Sequence, residues 1–180
     1  MYMKRVDKAL AIAGAAALVA GVATAASAAD VKVRGVTKTE IVLGSNTDLS
    51  GPAASFGVAV TNPLRLRFDE VNAAGGIFGR KIRLVVEDNQ YQVPKAVQAA
   101  NKLINRDNIF AMISQLGTPM NNAILPDQLK ANVPNLFPIT SARSMYQPFH
   151  HLKFALAASY YDQMRAGMKG LIETKHRKTP

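Results

Sequence analysis

The side chains best suited to chemistry on a small molecule are hydroxyls, glycines and aromatics that fall just after apolar, strand-like runs: Ser50, Gly51 and Phe56; Tyr91; Leu116, Gly117 and Thr118; Thr140 and Ser141. Hydroxyls and free backbone N–H groups at helix N-termini suit the carboxylate or carbonyl oxygens of a ligand, and Phe56 or Leu116 supplies an apolar wall. Ser and Thr at these junctions also cap helices, and the two roles are compatible.

Groups for other chemistry are missing. No GxxxxGK[ST], HExxH or GxSxG motif occurs. Gly75-Gly76-Ile77-Phe78-Gly79 is glycine-rich but lies between a helix-like and a strand-like run, the reverse of a dinucleotide fingerprint, and reads as a helix cap and tight turn. His150 and His151 are adjacent and have no Cys or paired carboxylates beside them, so neither a metal site nor a cofactor is expected. No local signature supports a Ser-His-Asp triad, and catalytic residues are not expected.

The chain has 180 residues, 48% of them apolar, with 22 Lys plus Arg against 12 Asp plus Glu and no Cys. This excludes a disulfide scaffold and a disordered tail. Lys4, Arg5 and Lys8, the uncharged run Ala9 to Ala29 and the small residues Ala26-Ser27-Ala28 read as a secretory signal peptide over residues 1–28. Twelve of the 21 residues in that run are Ala, a poor composition for a retained span. Residues 29–180 are then a soluble exported domain, with no cysteine to carry a lipid anchor. Its bases are scattered and the one dense run is Lys175-His176-Arg177-Lys178, so no nucleic acid partner is expected.

Elements that could position the hydroxyls alternate along the chain. Strands are expected at Glu40–Thr47, Lys81–Glu87 and Ile109–Ser114, with short ones at Asn135–Ile139 and Phe154–Leu156. Helices are expected at Arg65–Asn72, with Asn62 as N-cap and Pro63 opening the first turn, and at Pro94–Arg106. Two more are expected at Pro119–Ala131, kinked or shortened by Pro126, and at Tyr161–Glu173, whose Met164, Met168, Leu171 and Ile172 form a stripe expected in the core. This β-α alternation predicts an α/β fold, a doubly wound parallel sheet with helices on both faces, and ligands beyond the carboxyl ends of its strands.

Several motifs in order carry a resemblance over nearly all of residues 29–180. They are Val36-Thr37-Lys38-Thr39-Glu40-Ile41, Leu49-Ser50-Gly51-Pro52-Ala53 with Phe56-Gly57, Asn72 through Lys81, Glu87-Asp88 through Tyr91, Pro94-Lys95-Ala96-Val97, Leu116-Gly117-Thr118-Pro119 and Tyr161-Asp162-Gln163. The chain resembles the ABC-transporter substrate-binding proteins of the branched-chain amino-acid type, two-lobed periplasmic proteins that close on a small ligand and deliver it to a membrane permease. The resemblance implies an ABC importer component for amino acids or related carboxylates and amides. It implies that Thr118 grips the ligand carboxylate, Leu116 and Gly117 line the wall, Phe56 is the aromatic after the first strand and Thr140 offers backbone atoms.

Ala142 departs from the pattern, standing where amino-acid binders usually carry a second hydroxyl. With Arg143 beside it, an acidic or aromatic-acid ligand is left open. Family members are roughly twice as long, so residues 29–180 are expected to be the N-terminal lobe without its partner. Losing the charge partner of a ligand costs about 2 to 5 kcal/mol, tens to thousands of fold in affinity. The same fold also serves ligand sensing by a receptor or its partner, and a small α/β enzyme is the third class; permease and ATPase genes nearby would favour transport.

Overall fold

The computed structural model describes residues 32–175, so the expected signal peptide at 1–28 and most of the terminal basic run lie outside the described residues. Strands β1 (Glu40–Thr47), β2 (Lys81–Asp88), β3 (Ala111–Ile113), β4 (Asn135–Leu136) and β5 (Lys153–Phe154) form one sheet in the order β2-β1-β3-β4-β5. All four pairings are parallel. The helices are α1 (Ala54–Ala73), α2 (Val93–Asn101), α3 (Thr118–Lys130) and α4 (Tyr160–Lys175), and α2 continues through a wider π turn at Lys102–Arg106.

β1 has a neighbour on each side, and its last six residues, Val42 to Thr47, are all buried. A central parallel strand has no solvent face, which is why this run is apolar or fully hydrogen-bonded rather than alternating. Gly44 lets a helix layer sit close, since a Cβ there would lie 2.7 Å from Ile109 Cδ1. On that face α2 and α3 bring Ala96, Ala100, Leu103, Met120 and Ile124 against Val42 and Met112. Each fully buried Leu or Met, such as Leu103 or Met112, contributes about 1.5–3 kcal/mol of transfer free energy. On the opposite face Leu64 and Phe68 of α1 cover Leu43, Ala111 and Ile113. The sheet is therefore doubly wound with helices on both faces, as the alternation predicts.

Helix α1 differs from expectation. It opens at Ala54, so Asn62 is not an N-cap and Pro63 lies inside the helix on an exposed turn. The turn that leads into it is held from upstream. Asp48, fully buried, accepts the N–H of Gly51 at 2.6 Å and of Ser50 at 3.3 Å on Oδ1, and that of Ala53 at 2.7 Å on Oδ2. The residue preceding the helix, Ala53, has no capping side chain of its own. Gly57 then lets the first turn lean on the strand exit, because a Cβ there would meet the Asp48 carbonyl oxygen at 1.7 Å.

The remaining boundaries differ less. Helix α3 runs through Pro126 to Lys130 without being shortened. Strands β3, β4 and β5 are shorter than expected, because Ser114 and Phe137 turn left-handed immediately after β3 and β4, ending the ladders. The glycine pair after α1 caps it as expected, with Gly75 and Gly76 at φ 103° and 76°, and Ile77 pairs with Arg80 in a tight turn. That turn precedes β2, at the edge of the sheet away from the strand exits.

The stripe on α4 is not in the core. Met164, Leu171 and Ile172 are 67%, 53% and 49% exposed. Only the first turn is tied to the sheet, through Tyr160 N–H on the Ser141 carbonyl at 3.0 Å and Gln163 Nε2 on Ser141 Oγ at 3.0 Å. An apolar stripe is buried only where a surface meets it, and none of residues 32–175 does so here.

The Asp48 bonds set a stability prediction. Asp48→Ala leaves three partly buried loop N–H groups without their acceptor and lowers unfolding free energy by about 1–3 kcal/mol in urea denaturation, since water meets part of the loss at each. A loss under about 1 kcal/mol would show that the turn holds itself.

Candidate functional site

The strand exits on the carboxyl edge are held in conformations that need support. Gln90 and Tyr91 after β2, Ser114 after β3 and Phe137 after β4 are non-glycine residues at φ 52°, 56°, 53° and 52°. Such conformations cost about 1–3 kcal/mol each and persist where neighbours over-determine them. Buried asparagines do so here. Asn46 Nδ2 donates to the Ala96 carbonyl at 2.7 Å, Asn89 Nδ2 donates to Asn46 Oδ1 at 2.9 Å, and Asn89 Oδ1 accepts the Tyr91 N–H at 2.8 Å.

Asn121 does the same for the β3 exit, donating Nδ2 to the carbonyls of Gly117 at 2.8 Å and Gln115 at 3.2 Å. Gly117 stands at φ 97°, and a Cβ there would lie 2.1 Å from Met120 Cε and 3.0 Å from Tyr91 Cε2. Only glycine fits. The Tyr91 ring therefore lies beside Gly117, joining two expected site residues from different loops.

Thr118 and Thr140, 22 residues apart, meet at 2.5 Å between their hydroxyl oxygens. Backbone pairing brings them together: the exits of β3 and β4 continue side by side through the Leu116–Ile139 bridge, with Ile139 N–H on the Gln115 carbonyl at 2.7 Å. Thr140 Oγ1 also accepts the Ala142 N–H at 3.2 Å, and the Tyr160 hydroxyl stands 3.4 Å away. Either hydroxyl of the pair can donate to the other; when Thr140 gives its proton to Thr118, the Thr118 proton is left for another acceptor, and when Thr118 donates, the Thr140 proton is left for the Tyr160 oxygen.

The other expected residues divide. Leu116 is buried in the wall, Tyr91 is 39% exposed, and Ala142 enters only through its backbone. Ser141 Oγ accepts from Gln163. Ser50 is directed elsewhere, its hydroxyl donating to Asp88 Oδ2 at 2.5 Å. Phe56 is 66% exposed on the first turn of α1, away from the threonine pair's hydrogen bonds.

Sequence reading missed Tyr160, the first residue of α4, which lines a pocket of ≈ 220 Å³ together with Thr140, Ser141 and an apolar wall. The available signal was Ser159-x-x-Asp162. Ser159 Oγ accepts the Asp162 N–H at 2.9 Å and bonds its carboxylate at 2.6 Å, a helix-start pattern that places Tyr160 at a strand-exit position.

Two titrations follow from these bonds. Burial alone pushes the Asp88 carboxyl up, but the Ser50 hydroxyl and the backbone N–H groups of Leu49, Gln90 and Ser50 outweigh it and hold it below its ordinary 3.8. A depressed native carboxyl stabilises the fold above the unfolded value and loses that contribution as pH falls through the native one. The Ser50→Ala variant is therefore less stable than the parent at neutral pH, and the gap between their urea midpoints closes as pH is taken below 3.8. A gap independent of pH would remove Asp88 as its source.

Tyr160 is held below the ordinary phenol range first by its Thr140 hydrogen bond and then by the Ser141 backbone, against the opposing effect of burial. In tyrosinate absorbance titrations referenced to Tyr160→Phe, Thr140→Val raises the Tyr160 value. An unchanged value would mean that the hydroxyl contact does not form.

Among the described residues no three His, Asp or Glu side chains gather as a metal site, and no helix is long and apolar enough to cross a membrane. The chain matches the family described as periplasmic binding protein over residues 40–179. It is 37% identical over 114 residues, 63% of the chain, to the leucine-specific-binding protein of Salmonella typhimurium, covering 27% of that protein. It is 35% identical over 74 residues, 41% of the chain, to an amino acid binding protein of Pseudomonas aeruginosa, covering 20% of it. Among solved structures, the fatty acid ABC transporter substrate-binding protein from Thermomonospora curvata superposes with a TM-score of 0.75 at 30% identity, over 82% of this chain and 37% of that one. The chain thus spans well under half the length of these relatives. Similarity along almost all of the described fold, strand exits included, places it: the chain belongs to the periplasmic binding protein family.

Proposed function

We propose that the chain is the solute-binding component of an ABC importer, taking an amino acid or a related small carboxylate or amide and presenting it to a permease in the inner membrane. The observation that carries this reading is the Thr118–Thr140 hydroxyl pair at the sheet's carboxyl edge, with Gly117 and the Tyr91 ring next to Thr118 in the chain and in space. Relatives named for leucine, for amino acids and for fatty acids support a ligand with a carboxylate head. Residues 29–180 supply one lobe of the clamp, and residues 1–28 direct export to the periplasm. The reading is one of binding without turnover, supported by relatives named as binding proteins.

Titration of the chain with leucine, valine, phenylacetate and acetamide tests this reading. At least one binds saturably, and Thr118→Ala weakens it about tenfold or more while far-ultraviolet circular dichroism stays unchanged, the cost of one hydrogen bond to a charged group. Binding indifferent to Thr118→Ala would move the site elsewhere, and turnover of any probe would replace transport with catalysis.

A further inference from the structure

The turn between α1 and β2 carries a side chain that the fold does not use. Phe78 stands at φ 49° and is 94% exposed, so a large ring is held in solvent on left-handed backbone. Glycine takes that conformation freely, whereas a bulky residue does so at a cost. Burial offsets none of that cost here. Ile77 beside it is 39% exposed, and the two make a short apolar tip.

Cations rim the tip. Ile77 and Arg80 close the turn by exchanging backbone hydrogen bonds at 2.7 and 3.0 Å. Arg80 Nε donates to the Thr37 carbonyl at 3.0 Å and the Lys81 N–H to the Thr39 carbonyl at 2.8 Å. The segment entering β1 therefore lies against the turn and brings Lys38 alongside. Lys38 and Lys81 are both exposed. Arg83 is paired with Glu40 at 3.1 Å and Arg67 with Glu70 at 2.9 Å, which leaves Lys38, Arg80 and Lys81 against Asp69 on these segments.

We infer that this turn is a contact for an anionic phospholipid surface, with Phe78 entering the headgroup region and Lys38, Arg80 and Lys81 facing the phosphates. An aromatic ring suits the boundary between headgroups and acyl chains, and neighbouring cations add attraction to an anionic leaflet. The turn lies at the edge of the sheet away from the strand exits, so a bilayer held there leaves those exits uncovered.

Sedimentation of the full chain with phosphatidylcholine vesicles, with and without phosphatidylglycerol, tests the contact. Vesicles containing phosphatidylglycerol bind the chain at least tenfold more tightly, and added salt weakens that binding. Phe78→Gly weakens it fivefold or more while the urea midpoint does not fall, because glycine accepts the left-handed backbone. Lys38→Gln combined with Lys81→Gln weakens it tenfold or more, each charge near such a surface being worth about fivefold. A fluorophore on Ala74→Cys, at an exposed position in a chain with no cysteine of its own, is quenched by doxyl-labelled lipid, and adding Phe78→Gly relieves the quenching. Equal binding to both kinds of vesicle overturns the lipid contact. So does binding that neither variant weakens, which assigns the membrane contact to another part of the chain. A lowered urea midpoint for Phe78→Gly with lipid binding unchanged makes the ring a folding residue and overturns it as well.

Discussion

The carboxylate of Asp48, buried just after β1, is the constraint on which the carboxyl edge of the sheet depends. A charge in that position is tolerable only because three backbone N–H groups converge on it. Their convergence bends the chain from β1 into α1, and Gly57 lets the helix come to rest on the strand exit. With that turn set, Ser50 reaches Asp88, which ties the β1 exit to the β2 exit. The neighbouring link, Asn46 to Asn89, anchors Tyr91 and reaches the first turn of α2 through Ala96. Buried polar groups thus serve as joints between loops that share no apolar core.

The same logic shapes the edge where we propose that ligand binds. Left-handed residues stand at three strand exits and a left-handed glycine before α3, and asparagine bonds hold the exits of β2 and β3. Preorganised donors cost little to use when a ligand arrives. The threonine pair shares one hydrogen bond between its hydroxyls, which leaves one proton of the pair for the Tyr160 oxygen or another acceptor.

Much of this was legible in the residues themselves. The buried run of β1, the spacing of Val97, Ala100, Leu103 and Ile104 on α2 and of Leu64 and Phe68 on α1 reported both faces of the sheet, because hydrophobic periodicity is a local property of the chain. The start of α1 was not legible, because the turn into it is held by Asp48, five residues upstream of Ala53, and not by the Asn-Pro pair that local rules favour. The stripe on α4 misled for a related reason: periodicity reports that a helix has an apolar side but not whether anything packs on it. Thr118 and Ser50 both follow strands, yet Thr118 meets Thr140 whereas Ser50 turns to Asp88, a difference no local pattern shows.

The sequence by itself determined the alternation of strands and helices, the doubly wound class and the loops that carry hydroxyls, since each depends on residues within one or two turns of each other. Only the tertiary structure decided that Thr118 meets Thr140, that Tyr91 lies beside Gly117 and that Tyr160 comes within reach of the Thr140 hydroxyl. Those pairings depend on the parallel register of β3 and β4 and on bonds between side chains up to 43 residues apart, such as Asn46 and Asn89. Sheet pairing and buried hydrogen bonds are properties of the folded chain, and no local pattern encodes which loop will stand beside which.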